Sequence, residues 1–313
     1  NNENAAVYLT PEEFTKPGEF SRQIKVAMLT ESEKAIIKTI MTLPANKQQQ
    51  ILGSDMNTFL GLDSKAIHEK LKTIDISEIQ QMISYSQLSI QTYNRNSGIR
   101  TQHNSQVLQD IKTHQAPGDM HRYNDPVTDG HETTHGINSY LRNKHRGKVN
   151  AFYLLDGKYV VLVEPNMDKS QVARYIPQEL QGSRFGTYIS GGRSWNDKPL
   201  YILDEHIAYI NGAKVGVELA EKGLWNFGKQ DIVAGPIEFN AYSLGLGMAI
   251  KDNDPSYWNS QNGKQFQSFL QFSLEESMNV YHLGIQHASF HGFNEDRYLV
   301  YLRTDQDDKT ASL

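Results

Sequence analysis

Residues 124–143 read NDPVTDGHETTHGINSYLRN, with two histidines four positions apart and a glutamate directly after the first. On a helix, positions i and i+4 lie about 40° apart on one face, one turn above each other. His131 and His135 can therefore each turn a ring nitrogen toward one cation, and imidazole nitrogen at about 2.0–2.1 Å is an ordinary zinc bond. Glu132 falls roughly 100° around the same helix. From there its carboxylate can take a proton from a metal-bound water and pass it to a leaving amine. Asp125-Pro126 is a cap followed by a first-turn proline. Asp129 with Glu132 is the alternative start, and Ile137, Tyr140 and Leu141 give the helix an apolar side.

A catalytic zinc usually takes three protein ligands and keeps one position open. The third is expected from a second helix, within LDEHIAYINGAKVGVE. Glu205 shares a face there with Ala208, Gly212 and Gly216, small residues that let two helices approach as a shared cation requires. Asp204 is the nearest rival, because one residue of shift rotates the face; Glu218 and Glu221 sit near the helix end. Tyr209, one turn after Glu205, is the expected donor to charge developing on a substrate carbonyl. His282, His287 and His291 are the alternatives for that role. His287 and His291 also stand four apart, but no glutamate follows His287, and they read as partly exposed helix-end histidines. Arg142 reads as a surface salt-bridge residue.

The elements that must position these groups follow from periodicity. Thr10-Pro11-Glu12-Glu13, Thr30-Glu31-Ser32-Glu33 and Asp75-Ile76-Ser77-Glu78 are capping boxes. Apolar stripes at Ala35, Ile36, Ile40, Met41 and at Ile76, Ile79, Ile83, Ile90 follow the last two, and short helices are expected near Gln48–Leu52 and Lys65–Leu71. The segment from Ile99 to Asn124 reads as a connection. VNAFYLLDGKYVVLVEP is a hairpin turning at Asp156-Gly157. RFGTYIS and RYLVYLRT are expected strands, and the segments ending at Gly223 and running from Gly263 toward Gly292 are expected long helices. The whole is an α+β chain: a helical N-terminal domain over 1–115, then a catalytic domain over 116–313 with a small sheet.

Composition sets the outer bounds. A length of 313 residues with 38% apolar and 21% charged residues describes a globular chain of about two domains. A net charge of −5 supplies no basic surface for nucleic acid. The apolar, uncharged run near Phe239–Ile250 is too short for a membrane span and is broken by Gly245 and Gly247. The absence of cysteine excludes disulfides and Cys-ligated metal. No glycine-rich segment has the form of a phosphate loop, so no cofactor beyond zinc is implied. The chain starts at Asn1 rather than Met, so a processed, secreted or extracytoplasmic protein is expected. Oligomeric state is not encoded in any of these features.

His131-Glu132-Thr133-Thr134-His135 with a downstream helical Glu205 resembles the gluzincin branch of the zincin metallopeptidases. The metzincin pattern is ruled out, because Asn138 and Leu141 stand where it has glycine and histidine. The resemblance covers two helices. It implies a zincin-like catalytic domain, zinc on His131, His135 and Glu205, Glu132 as general base, and a peptide or protein substrate. The thermolysin-type NExxSD context is absent around Glu205, and Tyr209 stands where lethal-factor-like enzymes have a second glutamate. Two other readings share the motif: a zinc hydrolase acting on another amide such as a cell-wall peptide, and a toxin-like binding module without turnover.

Overall fold

The computed structural model describes Thr30, Glu33, Ile36, Ile37, Ile40 and Met41, then residues 45–62, 64–74 and 88–304. The chain divides into two compact units, 1–86 and 87–313.

In the first unit the reciprocal cap expected at Thr30 forms. The Thr30 N–H donates to Glu33 Oε2 at 2.8 Å, and the Glu33 N–H donates to Thr30 Oγ1 at 3.2 Å. Helices α1 (Ala45–Leu52), α2 (Met56–Gly61) and α3 (Ser64–Lys72) follow, α1 and α3 where short helices were expected. Ile36, Ile37, Ile40, Leu52, Phe59, Ile67 and Leu71 close into one aliphatic and aromatic core. The boxes at Thr10 and Asp75 and the stripe at Ile76, Ile79 and Ile83 lie outside the described residues. Ile90 does not continue that stripe. It opens strand β1 (Ile90–Thr92), opposite Val160.

The second unit begins with β1 and α4 (Gln106–Thr113), so residues 87–115 lie with the metal-motif helix. The segment read as a connection contains α4. Ser105 Oγ accepts the Leu108 N–H at 3.0 Å, and Leu108 and Ile111 are buried. Its polar Gln, Asp and Lys positions disguise an apolar face of barely two turns. Next come α5 (Pro126–His145), β2 (Val149–Tyr153) and β3 (Lys158–Val163). The hairpin turns where expected: Leu155, Asp156 and Gly157 all have positive φ (71°, 51° and 67°). The sheet is antiparallel in the order β1-β3-β2, with Val149 opposite Val163 and Tyr153 opposite Tyr159.

Two expected strands are not strands. RFGTYIS forms a π-helical turn over Phe185–Ile189. RYLVYLRT lies in a helix, α10 (Asp296–Thr304), in which adjacent Tyr298 and Leu299 are both buried, a pattern that strict alternation cannot produce. Before α10 lie α6 (Tyr201–Glu221), α7 (Ala234–Asn253), α8 (Pro255–Trp258) and α9 (Gln261–Gly284). α6 stops at Gly223, whose φ of 67° and whose successor's bond from Leu224 N–H to the Leu219 carbonyl (2.8 Å) close the end. α7 contains the uncharged run and is buried on almost every side, as the central helix of a core must be. Among the described residues no helix is long and apolar enough to cross a membrane.

Candidate metal centre

Helix α5 starts at Asp125-Pro126: Asp125 Oδ1 accepts the Thr128 N–H at 2.8 Å. Asp129 takes no part in capping. It accepts a 2.6 Å bond from the buried Lys112 ammonium of α4, which also donates to Thr133 Oγ1 at 3.0 Å. With Ile137 and Leu141 fully enclosed, these contacts fix the rotation of α5 and turn its histidine side toward α6.

Close approach between the two helices depends on missing side chains. A Cβ on Gly212 would stand 2.9 Å from the Val127 carbonyl and 3.3 Å from His131 Cβ, and one on Gly216 would stand 3.0 Å from Val127 Cγ2. The small-residue face read from the sequence is therefore the contact face. It brings Glu205 to the histidines. His135 Nε2 lies 3.1 Å from His131 Nε2 and 3.2 Å from Glu205 Oε2, and His131 Nε2 is 3.7 Å from the same oxygen. These three residues can hold a metal ion.

Each member of the triad is held from behind. His135 Nδ1 pairs with Asp204 Oδ1 at 2.9 Å, and that carboxylate also accepts from Asn138 Nδ2 at 2.7 Å. Arg142, 3.7 Å from Asp204 Oδ2 and only 11% exposed, completes this group; it is an inner residue, not the surface salt bridge expected. The Tyr201 hydroxyl donates to Glu205 Oε1, and the His131 ring lies edge-on to that of Tyr209. Such partners set ring tautomer and orientation. Asp204, the rival to Glu205, thus holds His135 from outside the triad. Glu218 accepts the Gln106 and Val107 N–H groups at 2.9 and 3.1 Å, at the far end of α6.

Charge is divided unevenly between the two rings. Burial, then the neighbouring His135 and Arg184, hold His131 well below its ordinary pKa. Burial acts the same way on His135, but Asp204, by charge and by hydrogen bond, and then Glu205 outweigh it and hold that ring well above. Two nitrogens facing each other at 3.1 Å cannot both carry a proton, and the neighbouring His135 accordingly adds to the lowering of His131.

Glu132 is half-buried, and no hydrogen bond or ion pair ties its carboxylate among the described residues. The ring edge of Tyr209 meets the His131 ring with centroids 4.6 Å apart, and its hydroxyl is 3.3 Å from that of Tyr188. Arg184 lies 5.0 Å over the Tyr209 ring. The C-terminal histidines are elsewhere. His287 lines a cavity with Ala220 and Gly223, and Ala220 is about 22 Å along α6 from Glu205. His282 is exposed beside Tyr281, and His291 is exposed and acts electrostatically on Glu295.

Sequence reasoning missed Asn138, Tyr201 and Tyr188. The first two had a signal: Asn138 follows His135 by three residues and Tyr201 precedes Glu205 by four, the spacings that share a helix face. Tyr188 had none, because its turn follows no period. Comparison with known protein families, curated proteins and solved structures found no match to this chain.

Proposed function

We propose that this chain is a zinc-dependent peptidase with a zincin-like, gluzincin-type centre. The observation that carries the reading is the donor triangle. Two ligand atoms on a tetrahedral zinc, each at about 2.0–2.1 Å, are about 3.3–3.4 Å apart. The three separations of 3.1, 3.2 and 3.7 Å straddle that value. The donor set of two imidazoles and one carboxylate leaves a fourth position, and the partners behind it suit a neutral-imidazole site.

Bound there, zinc would polarise a carbonyl and lower the pKa of a coordinated water. The remaining chemistry belongs to the chain. Glu132, whose carboxylate has no hydrogen bond or ion pair among the described residues, takes the water's proton and returns it to the leaving amine. Tyr209 hydrogen-bonds the oxygen on which charge develops, a role worth roughly 2.7–4 kcal/mol where one such donor has been removed. Asp204 holds His135, and Tyr201 holds Glu205, so neither ligand needs to reorganise.

The test is digestion of a mixed peptide library by zinc-loaded protein, with products sequenced. Cleavage abolished by a chelator and restored by zinc is expected. A protein with one zinc per chain and no cleavage of any peptide would contradict the peptidase reading.

A further inference from the structure

Lys169 lies in a 3-10 helix (Lys169–Tyr175), is 1% exposed and has no carboxylate partner among the described residues. Its ammonium donates to the carbonyls of Tyr188 (2.7 Å), Ile189 (2.8 Å) and Gly191 (2.8 Å). An ammonium has three donors, and all three are given to one short turn. Burying a charge without a counter-charge is expensive, so a lysine used only to fill space would be the poor choice beside an aliphatic residue. What it holds is specific. The turn is the π-helical Phe185–Ile189 segment, folded back so tightly that a Cβ on Gly191 would stand 2.6 Å from the Gly186 carbonyl oxygen. π-turns of this kind are rare and are concentrated at functional sites.

The turn presents Tyr188. Its hydroxyl meets that of Tyr209 at 3.3 Å, and its ring is 5.6 Å from that of Phe239. Tyr188 therefore sits beside the phenol that meets the His131 ring, on a different chain segment from His131, His135 and Glu205. We propose that Tyr188 is a second catalytic phenol of this centre and that Lys169 is its positioning residue, stapling the turn so that the hydroxyl stays beside Tyr209. The proposal rests on the peptidase reading for its chemistry; the staple itself does not.

Two measurements test it. In metal-free protein with ring-labelled tyrosine, the Tyr188 signals, assigned by Tyr188→Phe, should move and broaden in Lys169→Met while those of Tyr153, whose hydroxyl donates to Asp110, stay in place. Unmoved Tyr188 signals would overturn the staple. In zinc-loaded protein, Tyr188→Phe and Lys169→Met should each lower kcat by about 10²-fold with zinc content and KM nearly unchanged, the size expected for a lost or displaced transition-state donor. The double variant should be no slower than Tyr188→Phe alone; multiplying losses would show that Lys169 acts on the fold generally and would overturn its positioning role. If Lys169→Met does not fold, Lys169→Gln, which keeps two donors, carries both measurements. Protein that cleaves nothing would contradict the peptidase reading, and with it a catalytic Tyr188, while the ring signals still decide the staple.

Discussion

The chain has two histidine pairs at the same four-residue spacing, His131/His135 and His287/His291, and they lead to different structures. The first pair stands mid-helix in α5, pressed against α6 where Gly212 has no side chain, with a carboxylate delivered across the gap and a hydrogen-bond partner behind His135. The second begins after α9 has ended at Gly284, on turns with no helical register. His287 packs against Phe290, and His291 faces solvent. Spacing alone therefore selects nothing. A rigid helix, a second element able to come close, and groups that fix the tautomers make a pair into a ligand set.

The sharpest way to break this contrast is through the residue between the first pair. Glu132→Gln should keep zinc and fold but lower kcat by about 10²–10⁴-fold, since an amide cannot act as a base at neutral pH. Near-normal turnover measured with a cleaved library peptide would remove Glu132 from the mechanism. Next in size, Tyr209→Phe should lower kcat by roughly 10²–10³-fold with KM little changed, the mark of an interaction made mainly in the transition state. A wild-type kcat would leave its contact with His131 as packing only.

Smaller again is the contribution from behind the ligands. Asp204→Asn should weaken zinc by about 10–100-fold, measured by competition with a chromophoric chelator, because His135 loses the carboxylate that orients it. An unchanged affinity would mean that the orientation of His135 does not depend on the Asp204 charge. At the bottom of the scale, His287→Ala and His291→Ala should change neither zinc content nor kcat. Loss of metal in either would show that the second pair does contribute a ligand.

The sequence allowed the clustering of His131, His135 and Glu205 to be read because its information is local. His131 and His135 share one helix face, and the Ala208-Gly212-Gly216 face beside Glu205 needs only the 3.6-residue period to be seen. The hairpin at Asp156-Gly157 and the Gly223 stop are legible for the same reason: left-handed backbone leaves a mark on residue type. What was not legible depends on distant contacts. RFGTYIS alternates like a strand, but the carbonyls at its end belong to an ammonium nineteen residues upstream. Arg142 looks like any surface cation until Asp204 is seen beside it, and α4 looks like linker until its face meets α5 and α6.

The most direct test of the account is zinc stoichiometry by elemental analysis after dialysis, on wild-type protein, His135→Ala and His287→Ala side by side. One zinc per chain in the wild type and in His287→Ala, with none in His135→Ala, is the predicted result. Stoichiometric zinc retained by His135→Ala, or a wild-type chain that takes up no zinc, would contradict the assignment of His131, His135 and Glu205 as the metal centre.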